Sequence, residues 1–245
     1  MRILVKLLRI LWIPEYRGTF LRTRVAASAE HDYVLGGLTV DTVVDIGANR
    51  GQFALCARRL FPKARIFSFE PLRIPAAVYR RVFVKDPSVR LFNLAISSES
   101  GNASMHVSRW DGSSSLLPIA AAQHEHFPFT EESGRETVAT APLAECLGEA
   151  EITGAALLKI DVQGFELDVL KGCESLLSRF KYVYVEASFI ELYVGQALAG
   201  EVVAHLLSRN FALIGVANLS TGASKRPIQA DFLFMRRDPA KDREE

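Results

Sequence analysis

The stretch "VVDIGANRGQF", residues Val43 to Phe53, decides how this chain is read. Thr42 to Ile46 is an apolar run broken only by Asp45, and runs of that kind suit a strand buried on both faces. Gly47 and Gly51 follow within five residues, where the chain must turn sharply. "QFALCARRLF" then places apolar residues at helical spacing and stops before Pro62. The reading is strand, glycine turn, helix, with a carboxylate on the strand.

Working outward, the same alternation repeats. "ARIFSFE" reads as a second strand and "PAAVYRRVF" as a helix. "VRLFNLAI" reads as one continuous third strand, and "ASMHVSR" follows it. Residues 110–136 read as a long polar loop, a length that in a compact domain is usually functional. "ALLKIDV" is a strand, "FELDVLKGCESLL" a helix, "KYVYVEAS" a strand, and a helix covers about Gly200 to Ser208. "FALIGVA" and "DFLFMRR" close the chain as two strands with no helix between them. Apolar strands alternating with helices imply an α/β fold, a mostly parallel sheet with helices on both faces. The helix-free final pair implies that one edge turns antiparallel.

Bulk properties agree. The 245 residues are 49% hydrophobic, enough for one α/β domain and little more. The division expected is an N-terminal helical segment over 1–40, a main domain over 41–238 and a tail over 239–245. A net charge of +1 gives no global field for nucleic acid. Three scattered cysteines, Cys56, Cys146 and Cys173, with no CxxC pair, fit a reducing compartment, so a cytoplasmic location is expected. No run approaches 18 apolar residues, so no membrane span is expected. The N-terminus carries Ile3, Leu4, Leu7, Leu8 and Leu11 at helical spacing, and its basic residues outnumber its acids. It reads either as a basic amphipathic helix on the anionic inner face of a membrane, over residues 1–24, or as a helix packed on the domain.

In an open parallel sheet, ligands bind beyond the carboxyl ends of the strands. Two ligands suit the turn at Gly47. A dinucleotide needs G-x-G-x-x-G to rest its pyrophosphate on the helix N-terminus; here those positions are Gly47, Asn49 and Gln52, so two glycines are missing. This weakens the alternative of a nicotinamide-dependent oxidoreductase. S-adenosylmethionine has no phosphate and needs an acidic group for its ribose hydroxyls. Glu70, ending the second strand in "FSFEP", supplies one. A third reading is non-catalytic, a membrane-docked scaffold; the intact glycines and strand-end acids count against it.

A second constellation lies in "LLKIDVQGFELDVLKG". Asp161 ends a strand at the same crevice. It could orient an acceptor hydroxyl, take its proton, or hold the ammonium of the methionine tail. Glu186 in "YVYVEAS" ends the adjacent strand in the same way. Together the two could hold a divalent cation, although no third ligand is evident and no metal is expected. Glu166 suits the dipole at a helix start.

Together "VVDIGANRGQF", "FSFEP", "NLAIS", "SSSLL", "LLKIDVQGFELDVLKG" and "VEAS", in that order from about Thr42 to Arg237, resemble the FkbM family of S-adenosylmethionine-dependent methyltransferases. The resemblance implies the Rossmann-like class I methyltransferase sheet of seven strands, its last strand antiparallel. It implies that Asp45, Gly47, Asn49 and Gly51 line the methionine side of the cofactor, and that Glu70, next to Pro71, holds the ribose. Asn93 and Ala95 would lie near the adenine, Ser114 or Ser115 would touch the cofactor, and Asp161 and Glu186 would face the acceptor. The activity implied is O-methylation of a hydroxyl on a secondary metabolite or a sugar, including deoxyhexoses of glycolipids. Family members often carry Glu where this chain has Gln163, which advises against a proton-transfer role there.

A sugar hydroxyl is a weak acid, so a positioned base should help by about 10²–10⁴-fold. The candidates are Asp161, Glu186 and His126, which shares "QHEHF" with His124. Trp110 could stack on a sugar face. His205 reads as structural; His31, before the domain, could be part of a lid, and the sequence does not rank it.

Overall fold

The computed structural model describes residues 10–223 and 225–237. Seven strands form the main sheet: β1 (Thr42–Ile46), β2 (Arg65–Phe69), β3 (Val89–Phe92), β7 (Ala156–Ile160), β8 (Tyr182–Ser188), β9 (Phe211–Thr221) and β10 (Pro227–Arg236). Their order is β3-β2-β1-β7-β8-β10-β9. All pairings are parallel except those of β10, which runs antiparallel to both β8 and β9. This is the sheet that the resemblance implies, with its antiparallel strand inserted beside the edge.

Every residue of β1 and β7 is buried, because both faces are covered. The period-2 alternation sorts their side chains into two layers. Val44, Ile46, Leu158 and Ile160 share one core with the helices Glu166–Gly172 and Ala199–Ser208. Val43 and Leu157 share the other with Phe53, Ala54 and Ala57 of the helix Gln52–Leu60 and Tyr79 of Arg73–Val82. Asp45 and Lys159 fall on that second face by the same alternation. They are neighbours in register, since Asp45 pairs with Lys159 across the parallel ladder.

The N-terminal segment lies on this second face too. Leu35 and Val40 enter that core, while Tyr16, Ala27 and Ala29 form a cluster of their own with Ile10. Its helix Pro14–Thr23 leaves Leu21 exposed, and Trp12 just before it is 86% exposed. Ile3, Leu4, Leu7 and Leu8, and the tail expected over 239–245, lie outside the described residues. Among the described residues no helix is long and apolar enough to cross a membrane.

Two expectations fail. "VRLFNLAI" is not one strand: β3 ends at Phe92 and β4 (Ala95–Ile96) joins a separate three-stranded sheet, β4-β6-β5. The break is Asn93, whose side-chain amide donates to the carbonyls of Glu70 and Pro71 and turns the chain. Nor is 110–136 a plain loop. It holds a helical turn at Asp111–Ser113, the helix Ala121–His126 and the start of β6 (Glu132–Ala141), which pairs antiparallel with β5 (Gly101–Ser108). The sequence hides β6 because most of it faces water: Val138 is its one buried residue.

Candidate active site

A cavity of about 260 Å³ opens at the carboxyl ends of β1, β2 and β7, near the small end of the roughly 300–1,000 Å³ typical of small-molecule pockets. Its walls include Gly47, Asn49, Glu70, Pro71, Ala95 and Asp161, so residues from three strand ends meet there. Trp110, Asp111 and Ser114 come from the segment after β5, and Ser28 and His31 from the N-terminal segment.

The loop after β1 is shaped by backbone. Gly47 has φ +80°, and a Cβ there would stand 1.8 Å from the carbonyl oxygen of Asp161. The glycine therefore admits the neighbouring loop, besides lining the cavity. Gly51, at φ +94°, does the same for the rings of Phe83 and Tyr79 and stands outside the cavity wall. Every amide from 47 to 51 is engaged within the protein. Gly47 and Ala48 donate to the Phe69 carbonyl, Asn49 to Glu70 Oε2, Arg50 to the side chains of Asn49 and Gln52, and Gly51 to the Ala48 carbonyl. No amide of this turn is left for a pyrophosphate.

Glu70 is 4% exposed. Its Oε1 accepts from Leu72 N and its Oε2 from Asn49 N, both at 2.8 Å. Each oxygen keeps lone pairs for a further donor. Burial pushes this carboxyl up to about 7, against the pull of those two backbone bonds.

In the cavity wall stands a charged group that the sequence reading left out. Lys159 Nζ donates to the Gly47 carbonyl at 3.2 Å, stands 3.2 Å from Asp45 Oδ1 and 3.6 Å from Asp161 Oδ2, and lies 5.3 Å from the Phe53 ring centre. Burial alone would lower this ammonium; Asp45 and Asp161 outweigh it and hold it at about 12. Burial draws the Asp45 carboxyl upward and Lys159 opposes it. Two carboxylates and a carbonyl therefore surround Nζ. Asp45 is wholly buried and does not line the cavity: it holds Lys159 instead. The signal was a lone lysine inside an apolar strand, which a sheet buried on both faces can keep only if it is paired.

The loop after β7 is shaped by a side chain. Gln163 sits at φ +59° without being glycine. Its Nε2 donates to Asp161 Oδ1 at 2.7 Å and to Glu186 Oε2 at 2.8 Å. Its Oε1 accepts from Tyr193 Oη, and its carbonyl accepts from Ser115 Oγ. Glu186 therefore stands behind Gln163, outside the cavity wall, and its other oxygen accepts from Gln229. Burial, then the nearby Asp161 and Asp231, hold its carboxyl well above the usual carboxylate range. Ser115 braces this loop, while Ser114 lines the cavity. Asn93 fixes the backbone under Glu70 and does not reach the cavity. His126 is also outside it, on an exposed helix end beside Gly222. Among the described residues no three His, Cys, Asp or Glu side chains gather as a metal set.

The walls thus offer carboxylates at Glu70, Asp111 and Asp161, the last two already tied to Arg50 and Lys159. Hydroxyl-accepting acids, apolar surface and no free anion-binding turn fit a sulfonium nucleoside and not a dinucleotide.

The methyltransferase FkbM domain family matches residues 45–213. The chain is 32% identical over 160 residues to the 2-O-methyltransferase NoeI of Sinorhizobium fredii, covering 63% of this chain and 66% of that protein. It is 30% identical over 197 residues to the 31-O-demethyl-FK506 methyltransferase FkbM of Streptomyces tacrolimicus, covering 71% of this chain and 74% of that one. It is 31% identical over 201 residues to the hexuronic acid methyltransferase AglP of Haloferax volcanii, covering 80% and 71%.

Proposed function

The chain belongs to the FkbM methyltransferase family, and on that footing we propose that it transfers a methyl group from S-adenosylmethionine to a hydroxyl of a sugar, such as a deoxyhexose of a glycolipid or a similar glycan. The observation that carries this reading is the convergence of Glu70, Asp161 and the Gly47 turn on one cavity whose loop amides are already satisfied.

Bound there, S-adenosylmethionine supplies an activated methyl group, so the chain's own task is alignment. Glu70 would accept from the ribose hydroxyls with the lone pairs its backbone bonds leave free. Asp161, fixed between Lys159 and Gln163, would hold the ammonium of the methionine tail or a hydroxyl of the acceptor. Correct alignment of oxygen, methyl and sulfur can supply roughly 7–11 kcal/mol.

A sugar acceptor is supported by AglP, whose name specifies a hexuronic acid, and by Trp110, 66% exposed at the cavity wall, where an indole can stack on a pyranose face. A small secondary metabolite is the other acceptor class that the family implies. On this reading residues 41–238 carry the catalysis, and Ser28 and His31 of the N-terminal segment cover the site. The exposed Trp12 and Leu21 suit peripheral contact with a membrane bearing the acceptor; liposome co-sedimentation of the full chain checks that point. Activity is tested with labelled S-adenosylmethionine against free deoxyhexosides and hexuronic acids. Methyl transfer to a sugar is expected; transfer only to non-sugar hydroxyls would move the acceptor to the metabolite class.

A further inference from the structure

We propose that His31 is the general base that takes the proton of the acceptor hydroxyl, and that Asp231 and Tyr184 orient it; this rests on the O-methyltransferase reading above. His31 lines the cavity, though it comes from the segment that covers the site rather than from a strand end. Its Nδ1 is committed to the sheet: 2.9 Å from Tyr184 Oη on β8, 3.2 Å from Asn218 Nδ2 on β9 and 3.5 Å from Asp231 Oδ2 on β10. Its Nε2 has no partner among the described residues.

The tautomer follows from following the protons. Tyr184 Oη has one proton and donates it to Asp231 Oδ2 at 2.7 Å. Its oxygen is then an acceptor facing Nδ1. Asn218 Nδ2 spends one proton on the same Asp231 oxygen at 2.7 Å, and we assign its second to Tyr184 Oη at 3.4 Å, which leaves Nδ1 to donate. Nδ1 therefore carries the ring proton, directed at the Tyr184 oxygen and the Asp231 carboxylate, and Nε2 presents a bare lone pair. Burial would raise Asp231, but the bonds and charge of His31, with Asn218 and Tyr184, outweigh it and hold the carboxyl below its usual range. The ring is also fixed edge-on against Phe53 and Tyr184, at centroid distances of 5.4 and 5.5 Å. The titratable and charged groups around it are Asp231 and Tyr184, and, across Phe53, Lys159 with Asp45.

In the step, a lone pair of the acceptor oxygen forms the new C–O bond as the C–S bond of the sulfonium breaks. Sulfur leaves as a neutral thioether, the hydroxyl proton passes to Nε2, and the imidazolium, stabilised by Asp231, later releases it to water.

The test uses the full chain. Long-range ¹H–¹⁵N spectra with saturating S-adenosylhomocysteine, assigned against His31→Gln, should show His31 protonated at Nδ1 and bare at Nε2. The opposite tautomer overturns the proposal without any acceptor being needed. On an acceptor that the wild type methylates, His31→Gln should lower kcat by about 10²–10⁴-fold while the Kd for S-adenosylmethionine stays within threefold. The rise of kcat with pH should vanish in His31→Gln and move in Asp231→Asn. A kcat within threefold of wild type, or a Kd that weakens in step with kcat, overturns the assignment. A folded wild type that binds no S-adenosylmethionine would instead sink the methyltransferase reading itself.

Discussion

The loop after β1 and the loop after β7 meet over the same cavity, yet they hold their shapes by opposite means. The first is a backbone structure: two positive-φ glycines and five amides bonded within the protein. The second is held by side chains: Gln163, its own backbone in the left-handed region, is bonded to Asp161, Glu186 and Tyr193, and Glu166 accepts from Gly164 N. They touch where Gly47 lies under the Asp161 carbonyl. The difference teaches where tolerance lies. A backbone-built loop fails at any added atom, whereas a loop held by a side chain degrades by the bonds it loses.

Gly47→Ala should therefore have the largest effect. Its Cβ would meet backbone oxygen at 1.8 Å in a strained φ, so a loss of about 4 kcal/mol or more in urea unfolding, with S-adenosylmethionine binding abolished, is expected. A near-neutral Gly47→Ala would show that the first loop is not rigid. The second loop adds a pH dependence. Glu166, 2% exposed, accepts from Gly164 N, and burial raises its carboxyl to about 7. A raised folded-state value means that its contribution is full below about 4.5 and is lost as pH rises through about 7, a fall of about 3 kcal/mol. Glu166→Gln should flatten that slope in melting curves taken between pH 5 and 8; an unchanged slope would refute it. Gln163→Ala should cost about 2 kcal/mol, from lost bonds and left-handed strain, and Gln163→Gly about 1 kcal/mol less because it relieves the strain. Equal losses would mean that backbone strain plays no part. His126→Ala, outside the cavity, should leave kcat and KM within about twofold, within the small range of neutral surface changes.

The sequence showed most of the frame. Glu70 and Asp161 follow strand ends because apolar runs stop at them, Asp45 interrupts its run one residue before the end, and the helix-free final pair disclosed the antiparallel edge. What stayed hidden depends on three-dimensional neighbours. Asp45 looked like a ligand holder because nothing in one dimension shows Lys159 beside it in register. Asn93, placed near the adenine by the resemblance, breaks the strand instead, and a break made by a side-chain amide leaves no periodic trace. β6 escaped because its residues face water. His31 could not be ranked because its partners lie 153, 187 and 200 residues away along the chain.

The central claim, that both loops enclose one site for S-adenosylmethionine with Glu70 on its ribose, is tested most directly by isothermal titration of the wild type and Glu70→Gln. Saturable one-to-one binding, weakened roughly tenfold in the folded variant by the loss of hydroxyl bonds worth about 0.5–1.5 kcal/mol each, is the expected result. Equal affinity in the two proteins, or no binding by a folded wild type, would contradict it.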